Sequence, residues 1–471
     1  MRTECKEKRY KFQALGKRAV VGGFDGGQIS SDGGALLLRE LEQKRRIIGQ
    51  LAECFIDHRD PELIEHTVEE LVGQRVFGLA LGYEDLNDHD QLRQDPLLAV
   101  LVGKEDPTGQ DRHRRQDRGK ALAGKSTLNR LELTPAETSR EARYKKIGVD
   151  EERVEEFFLK VFVQAHPQAP QELVLDLDAT DDPVHGKQEG RFFHGFYGQY
   201  CYLPLYVFCN GYVLCAQLRR SNIDASEGAV EVLERIVEFL RQAWPEVKII
   251  VRADSGFARE ALMSWCESHR VDYVLGLARN SRLEQALKVE LARARRQWQQ
   301  TGQAARRFKD FRYQTRESWS RRRRVVGKAE HLNKGANPRF VVTSLVSPNW
   351  EAQPLYEQLY CARGEMENRI KEQQLDLFAD RTSAATMRAN QLRLWFSAVA
   401  YLLLHGLRQW ALKGTEYATA QCGTMRLRLL KIGAQVRISV RRVLVSLASG
   451  FPAEAVFQQA YQSLQVLPRY G

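Results

Sequence analysis

Between residues 173 and 277 the chain alternates short strand-like runs with longer helix-like segments, and this alternation limits the possible folds more than any other feature of the sequence. Runs of branched apolar residues predict strands, whereas apolar residues at helical spacing predict helices. Asn210-Gly211 between two apolar runs predicts a hairpin turn. We therefore expect an α/β fold in which helices pack on a mixed sheet. The predicted elements are strands at 173–178, 247–253 and 273–277, a hairpin at 202–217, and helices at 226–243 and 259–269, the first capped by Ser226.

The flanking regions carry mainly helical patterns. Residues 64–81 have apolar side chains at helical spacing, and Pro135 begins another segment, 135–147, that we interpret as helical. The remaining predicted elements are a strand at 340–345 and helices at 356–377 and 384–412, while 436–447 fits either a strand or a helix.

Net positive charge is concentrated in one segment. Residues 282–339 contain 17 Lys and Arg against 5 Asp and Glu, a net charge of +12, whereas the whole chain carries +11. A solvated surface normally mixes charges of both signs, so this segment is typical of contact with phosphate groups. The run Arg321–Arg324 lies near aromatic residues that suit base stacking, namely Phe308, Phe311, Tyr313 and Trp319. Nucleic-acid binding is the prediction, with a nuclear-localisation or RNA-binding run as the alternative.

Several other classes of protein are excluded by composition. The hydrophobic content of 43% and the charged content of 28% are those of a globular chain. The eight cysteines show no CxxC pair and no zinc spacing, so we expect reduced thiols. The apolar run at 394–404 is shorter than the roughly 18 residues of a membrane span, and the N-terminus has no secretory signal pattern. We therefore expect a cytoplasmic protein with no membrane partner.

Two aspartates stand at the ends of predicted strands. Asp178 ends the strand 173–178, and Asp254 follows the strand 247–253. Open sheets bind ligands beyond the carboxyl ends of their strands, so both residues are placed for a metal site. Asp176 shares a face with Asp178 because side chains alternate along a strand, and either residue could be the ligand. We prefer Asp178 because it lies nearer the strand end.

A third acidic residue, Glu367, lies on a predicted helix. One narrow polar stripe of this helix, at about 100° per residue, contains the side chains Tyr360, Arg363, Glu367 and Lys371. Glu365 points away from the stripe. A surface helix with an ordinary Glu367–Lys371 ion pair is the alternative interpretation. Together with the two strand-end aspartates, however, Glu367 gives the three carboxylates that a site for hard divalent cations requires.

These residues resemble the catalytic carboxylates of DDE-class insertion-sequence transposases, in particular the thirteen-eighty group. Asp178 lies in DATDD, Asp254 lies in VRADSGF, and Glu367 lies in a Tyr-x2-Arg-x3-Glu signature. The segments FDGGQISSDGGALLLREL, HGFYGQYCYLPLYVF and STLNRLE also resemble that group. The similarity extends over about residues 23–410 and so includes most of the chain.

The resemblance implies a particular organisation of the fold. We expect an RNase H-like mixed-sheet catalytic core with an inserted basic domain, together with helical N- and C-terminal regions. The expected divisions are a basic tail at 1–20, a mainly helical DNA-binding region at 21–165, core parts at 166–280 and 340–415, the insertion domain at 281–339 and a C-terminal region at 416–471. One position departs from the signature: where its other members have a Lys seven residues after the Glu, this chain has Gln374, and Lys371 lies one turn earlier.

The resemblance also implies the reaction. A DDE transposase cuts the ends of its element with water and then joins the freed 3′-OH to target DNA. Asp178, Asp254 and Glu367 would be the catalytic residues and would hold two Mg²⁺ ions, replaceable by Mn²⁺. The residues that would contact DNA phosphates are Tyr360, Arg363, Lys371, Lys125 and Arg321, Arg322, Arg323 and Arg324.

The implied partners are double-stranded DNA, as terminal inverted repeats and as target, and a second copy of the chain in a homodimer on DNA. The implied location is the bacterial nucleoid. Two alternatives remain open at this point. One is an RNase H-like nuclease that cuts without joining strands, and the other is a catalytically silent DNA-binding descendant of a transposase.

Two further patterns are interpreted without a catalytic role. Residues 119–126 match the letters of a phosphate-binding loop, GxxxxGK[ST], but a charged stretch precedes them where such a loop needs a buried strand. We therefore interpret Lys125 as part of a basic, DNA-facing loop that leads into a helix. The aromatic residues between 192 and 206 are interpreted as sheet packing rather than as a platform for base stacking.

Overall fold

A hairpin of β1 (Tyr10–Leu15) and β2 (Arg18–Gly22) opens the chain in the computed structural model, which describes residues 9–470. The sequence predicted a loose basic tail over residues 1–20. Residues 1–8 of that tail lie outside the described residues, and the rest of it is paired as an antiparallel ribbon. The pairing uses β-branched and aromatic residues of both strands, which favour extended backbone.

The region up to residue 148 is mainly helical, as predicted. Its elements are β3 (Ile29–Ser30), α1 (Leu36–Arg45), α2 (Ile47–Ala52), β4 (Phe55–Asp57), α3 (Val68–Ala80), α4 (His89–Leu92), α5 (Pro96–Leu101), α6 (Lys125–Glu132) and β5 (Ile147–Val149). Thr67 caps α3 by accepting a hydrogen bond from the backbone N–H of Glu70, whose side chain accepts one in return. The helix predicted at 135–147 is wrong: residues 135–146 form turns and bends, because this segment has few large apolar side chains to pack.

Residues 149–398 contain the central sheet. The elements are α7 (Glu151–Gln164), β6 (Glu172–Ala179), β7 (Asp182–Pro183), β8 (Phe192–His194), β9 (Gln199–Tyr202), β10 (Leu205–Cys209), β11 (Tyr212–Gln217), α8 (Ala229–Ala243), β12 (Lys248–Ala253), α9 (Glu260–Ser268), β13 (Asp272–Leu277), α10 (Ser281–Thr301), β14 (Ala305–Tyr313), β15 (Arg323–Leu332), β16 (Gly335–Ala336), β17 (Arg339–Thr343), α11 (Ala352–Pro354), α12 (Gly364–Lys371) and α13 (Met387–Gly406).

The central sheet has nine strands in the order β11-β10-β6-β12-β13-β17-β15-β14, and β16 pairs with β15. β6, β12 and β13 run parallel to one another, whereas the other pairings are antiparallel. The predicted α/β fold with a large mixed sheet is therefore confirmed. Numbered along the chain, the first five of these strands have the spatial order 3-2-1-4-5, so the parallel neighbours β6 and β12 lie where the order of strands reverses.

Local signals placed the hairpin correctly and one helix cap wrongly. Asn210 and Gly211 have φ angles of 51° and 83°, the positive values that a type I′ turn requires. The predicted cap at Ser226 is wrong, because α8 begins at Ala229 after Gly228. The hydroxyl of Ser226 instead donates to Asp224 and forms a local turn.

The basic segment 281–339 is continuous with the central sheet. Its strands β14 and β15 pair with each other, and β15 pairs with β17, so the segment lengthens the sheet. The helix α10 buries Leu283, Leu287 and Ala294, which are spaced to form one face. The segment that the sequence predicted as an inserted basic domain therefore extends the central sheet. Val325 and Val326 of β15 are fully buried, which requires the rest of the sheet beside them.

The helical run that contains Glu367 packs on this sheet. Leu355, Tyr356 and Leu359 form a core cluster with apolar residues of four strands, namely Ile250, Val274, Val326, Val341 and Leu345 just after β17. Burial of such side chains contributes roughly 1.5–3 kcal/mol each and fixes the helical run at this position.

The C-terminal residues contain α14 (Cys422–Met425), β18 (Ala434–Ser439), β19 (Arg442–Leu447) and α15 (Glu454–Val466). Residues 436–447, which fitted either structure, form a hairpin, and β18 also pairs with β3. Contacts divide the chain into residues 149–398 and a second unit that joins the residues up to 148 with those from 399. Among residues 9–470, no helix has both the length and the apolar character needed to span a membrane.

Candidate active site

Two neighbouring parallel strands bring Asp178 and Asp254 together. The register of β6 and β12 pairs Leu177 with Ala253, so Asp254, the next residue, comes beside Asp178. Asp254 begins a 3₁₀ turn at Ser255–Phe257, and its Oδ1 accepts a hydrogen bond of 2.8 Å from the backbone N–H of Gly256. Both carboxylates thus lie at the carboxyl end of the sheet, where ligands bind in open sheets.

The helical run that carries Glu367 is irregular. Residues 352–376 are continuous helix, but π turns occupy Leu355–Tyr360 and Glu372–Asp376, and a 3₁₀ turn occupies Cys361–Arg363. The spacing of 100° per residue used for the sequence therefore does not hold along the whole run. π turns occur often at functional sites, because each extra residue redirects the side chains that follow it.

Arg363 connects the helix to the sheet at the acidic site. Its Nη2 lies 2.5 Å from Oε1 of Glu367, and its Nη1 lies 3.7 Å from Oδ1 of Asp178. Burial raises the pKa of Asp178 to about 6, the charge of Arg363 opposes this, and the charges of Asp254 and Glu367 add to it. Asp178 therefore interacts with the other two carboxylates predicted from sequence, and the guanidinium of Arg363 interacts with all three.

The chemistry of these donors fits a divalent cation, since carboxylate oxygens are the ligands that Mg²⁺ prefers. Within residues 9–470, however, no group of three or more Asp, Glu, His or Cys side chains is gathered tightly enough to hold a metal ion. Arg363 instead supplies the positive charge between Asp178 and Glu367. The site therefore has the carboxylates that a metal ion needs, but the guanidinium of Arg363 lies among them.

Tyr360 reaches the same site through a gap left by Gly276. A Cβ atom on Gly276 of β13 would lie 2.6 Å from the hydroxyl of Tyr360 and 2.9 Å from the backbone nitrogen of Ser255. Only glycine allows this approach of the phenol to the turn after Asp254. Burial raises the pKa of Tyr360 above its ordinary value, so the hydroxyl keeps its proton. Lys371, at the end of α12, is exposed.

Asp176, the alternative to Asp178, has a structural partner. Its two oxygens lie 2.5 and 2.7 Å from Nε and Nη2 of Arg252, its neighbour across the β6–β12 pairing. Nη1 of Arg252 donates to the carbonyl oxygen of Leu359 at 2.5 Å. Asp176 and Arg252 are both buried, and together they attach the π turn of the helical run to the sheet.

Three residues that the sequence did not assign to the site lie at its edge. Gln374, where relatives of the signature have Lys, donates to the carbonyl oxygen of Asp181 at 3.0 Å. Gln199 donates to the carboxylate of Asp181 at 2.6 Å, and the hydroxyl of Tyr197 lies 3.5 Å from the carbonyl oxygen of Ala179. Gln199 and Tyr197 belong to the segment HGFYGQYCYLPLYVF, so that resemblance was the signal available in the sequence.

The four arginines at 321–324 do not form one DNA-binding surface. Arg323 is buried, and its guanidinium lies 2.7 Å from Glu260 and 2.8 Å from Glu267. Arg324 is also buried; it pairs with Asp310 at 2.5 Å and donates to the carbonyl oxygen of Leu345. The prediction that Arg323 and Arg324 contact DNA is therefore wrong, because β15 turns both side chains into the fold. Arg321 and Arg322 are exposed, and Arg321 pairs with Glu267.

Lys125 is the first residue of α6. Its side chain is half exposed, and Nζ lies 3.4 Å from Asp90 and 3.1 Å from Asn87. The residues before it, 118–124, contain no strand, so the phosphate-loop letters at 119–126 lack the structure that such a loop needs.

Comparison with known families agrees with this geometry. Residues 12–469 match the family described as transposase DDE domain group 1. The chain belongs to this family. The predicted DDE class is therefore confirmed, and with it a role in DNA recombination and transposition. No curated protein was found to match this chain. A solved structure of a piggyBac transposase synaptic complex with hairpin DNA is similar over 94% of this chain and 86% of that one, with 12% identity and a TM-score of 0.38.

Proposed function

We propose that this transposase cuts the ends of a bacterial insertion sequence and joins the freed 3′-OH to target DNA at a site formed by Asp178, Asp254 and Glu367. The observation that carries the proposal is the convergence of two strand-end carboxylates and a helix-borne carboxylate around Arg363. The strand order 3-2-1-4-5 supports an RNase H-like core for this site.

The carboxylates of Asp178, Asp254 and Glu367 would hold two Mg²⁺ ions. When bound, such ions activate an attacking oxygen and stabilise the charge on the leaving oxygen. Arg363 would bind a phosphate with its planar, forked donors, which match phosphate oxygens. Tyr360 would position the DNA backbone beside Asp254, and Lys371 would contact an adjacent DNA phosphate. The proposed partners are inverted-repeat and target DNA and a second copy of the chain, in the bacterial nucleoid.

The test is an assay for cleavage and joining. The substrate is a labelled duplex that carries the terminal inverted repeat found in the DNA beside the gene, and a supercoiled plasmid serves as target. We expect cleavage and joined products with Mg²⁺ or Mn²⁺, and neither in Ca²⁺ or a chelator, since Ca²⁺ takes a looser geometry. Asp178→Asn, Asp254→Asn and Glu367→Gln should each abolish both steps and leave duplex binding intact. Glu365→Gln, which changes an exposed residue of the same helix, is the matched control and should keep full activity.

The outcomes separate the alternatives. Cleavage without joined products would make the protein a nuclease, and binding without cleavage by the unchanged chain would make it a silent descendant. Full activity in a chelator would overturn the metal mechanism. Normal cleavage by Asp178→Asn would show that the first ligand has been chosen wrongly.

A further inference from the structure

The aromatic residues between 192 and 206 divide into a buried half and an exposed half. Tyr202 and Tyr206 are almost completely buried in the sheet, as the sequence interpretation expected. Phe193, Phe196 and Tyr200, in contrast, are 57%, 86% and 48% exposed. An aromatic ring covers 150–250 Å² when it is buried, so a cluster of exposed rings is an unusual feature of a protein surface.

The exposed rings belong to a hairpin whose base is fixed by strand pairing and hydrogen bonds. β8 and β9 pair with each other, and β9 also pairs with β7. At the base, the hydroxyl of Tyr202 donates to the carbonyl oxygen of Glu189 at 2.5 Å, and that of Ser221 donates to the carbonyl oxygen of Phe192 at 3.0 Å. The tip, residues 194–198, is closed by a backbone hydrogen bond from Gly198 to His194. The aromatic surface is thus held in place and does not collapse onto the core.

Tyr197 connects the tip of this hairpin to the acidic site. Its hydroxyl lies 3.5 Å from the carbonyl oxygen of Ala179, the residue after Asp178. Burial raises the pKa of Tyr197 to about 12, and the charges of Asp181, Asp178 and Asp254 contribute to the increase. The ring of Phe196 is 5.0 Å from that of Tyr197, on the exposed side. One ring contact, with Tyr197, and one hydrogen bond, from Tyr197 to Ala179, therefore connect Phe196 to the residue next to Asp178.

The hairpin also carries a cation suited to nucleic acid. The guanidinium of Arg191 lies 4.6 Å from the ring centre of Tyr200, and Phe193 packs edge-on against the same ring at 5.6 Å. An Arg plane beside exposed rings is the combination on which unpaired bases stack, because every base has a π face and a neighbouring phosphate.

We propose that the hairpin from Phe192 to Tyr202 is a base-stacking element in which Phe196 contacts an unpaired nucleobase close to the phosphate being cut. This proposal rests on the function proposed above. Because Tyr197 joins Phe196 to Ala179, and DNA rises about 3.4 Å per nucleotide on each strand, the exposed ring of Phe196 lies within a few nucleotides of a phosphate at Asp178. Stacking outside the helix would stabilise the unpaired end and leave its phosphate in position for attack.

The experiment compares two duplexes of the same sequence and length. One is fully paired, and the other has a short unpaired stretch that contains 2-aminopurine. All proteins carry Glu367→Gln so that no cleavage occurs, and affinities are measured by fluorescence anisotropy. The variants are Phe196→Ala, Tyr200→Ala and Phe196→Trp. Phe24→Ala is the control, because Phe24 is 96% exposed in the other unit of the chain.

We expect the unchanged hairpin to prefer the unpaired duplex and to quench its 2-aminopurine. Phe196→Ala should reduce this preference about 5-fold or more, because one base–aromatic stack has that effect on affinity, and affinity for the paired duplex should stay within about twofold. Phe196→Trp should keep the preference. Because the side chain is exposed, the thermal midpoint should not change in Phe196→Ala.

Three results would overturn the inference. They are no preference for the unpaired duplex in the unchanged hairpin, the same preference in Phe196→Ala, and the same loss in Phe24→Ala. Loss of a dimer in sedimentation of free Phe196→Ala would assign the rings to a protein contact instead. Failure of the proposed function is a different result: the chain with Glu367 would then cleave no inverted-repeat duplex, whatever the outcome of the stacking assay.

Discussion

Asp178 has a carboxyl group whose pKa is raised to about 6, chiefly by burial, with the charges of Asp254 and Glu367 adding to the effect and Arg363 opposing it. A raised pKa favours the protonated acid in the folded protein. The stability linked to that proton is fully present below the ordinary pKa of 3.8 and is lost as the pH rises through about 6. A residue that is costly to ionise in the folded chain is typical of a functional site.

We therefore predict that Asp178→Asn stabilises the metal-free protein at pH 7.5. The gain should be at most about 3 kcal/mol, the free energy that corresponds to the change in pKa, and it should vanish near pH 4. Denaturant unfolding in a chelator at both pH values measures it. Added Mg²⁺ should reverse the order at pH 7.5, because only the unchanged chain gains a full set of ligands. Equal stability of the two proteins at both pH values would mean that Asp178 ionises without cost.

At the scale of elements, the start of β15 separates the four consecutive arginines at 321–324 into an exposed pair and a buried pair. The strand begins at Arg323, and the side chains of Arg323 and Arg324 are held by acidic partners, whereas Arg322 lies before it and is exposed. The hydrogen bond from Arg323 lowers the pKa of Glu260 to about 2.

We predict that Arg323→Ala destabilises the protein by about 3 kcal/mol at pH 7, because two carboxylates lose a buried partner. Arg322→Ala should change stability by no more than about 0.5 kcal/mol. Since Glu260 has a lowered pKa, the difference should shrink as the pH falls from about 4.5 towards 2. Urea unfolding of both variants is the measurement. A large loss in Arg322→Ala would contradict the assignment of Arg322 to the surface.

At the scale of the whole molecule, the excess positive charge of the chain can contact DNA only where it is exposed to solvent. Many cations of the segment 282–339 are paired with acids, including Arg306, Lys309 and Lys328. The outer face of α10, opposite the buried Leu283 and Leu287, exposes Arg293, Arg295 and Arg296. This face is a better candidate for contact with DNA phosphates than the run at 321–324.

We predict that replacing the three α10 arginines with Ala weakens binding to all duplex sequences alike. The slope of log K against log salt should decrease by about 0.9 for each DNA phosphate that the variant no longer neutralises. Titration of a random duplex at several salt concentrations gives the slope. The control replaces the exposed Arg437, Arg441 and Arg442, which removes the same charge from the C-terminal hairpin. Equal slopes for the two triple variants would show that total charge, and not this face, governs binding.

The sequence alone determined what is local. The Asn210-Gly211 turn follows from backbone conformations open to those two residues, and the strands β6, β12 and β13 follow from runs of branched apolar residues. The signature residues were likewise found from local patterns, Asp178 and Asp254 from predicted strand ends and Glu367 from the polar stripe of a predicted helix, and the structure brings all three near Arg363.

The tertiary structure decided what depends on partners distant in the sequence. Asp176 differs from Asp178 because Arg252, on another strand, neutralises it, and nothing near Asp176 in the sequence predicts that pair. Arg323 differs from Arg322 because Glu260 and Glu267 of α9 lie beside it. Residues 281–339 join the sheet because β15 pairs with β17, and Phe196 is exposed because its hairpin stands away from the core that buries Tyr206. Charge and apolarity can be read from residue types, but burial and ion pairing depend on which surfaces the folded chain brings together.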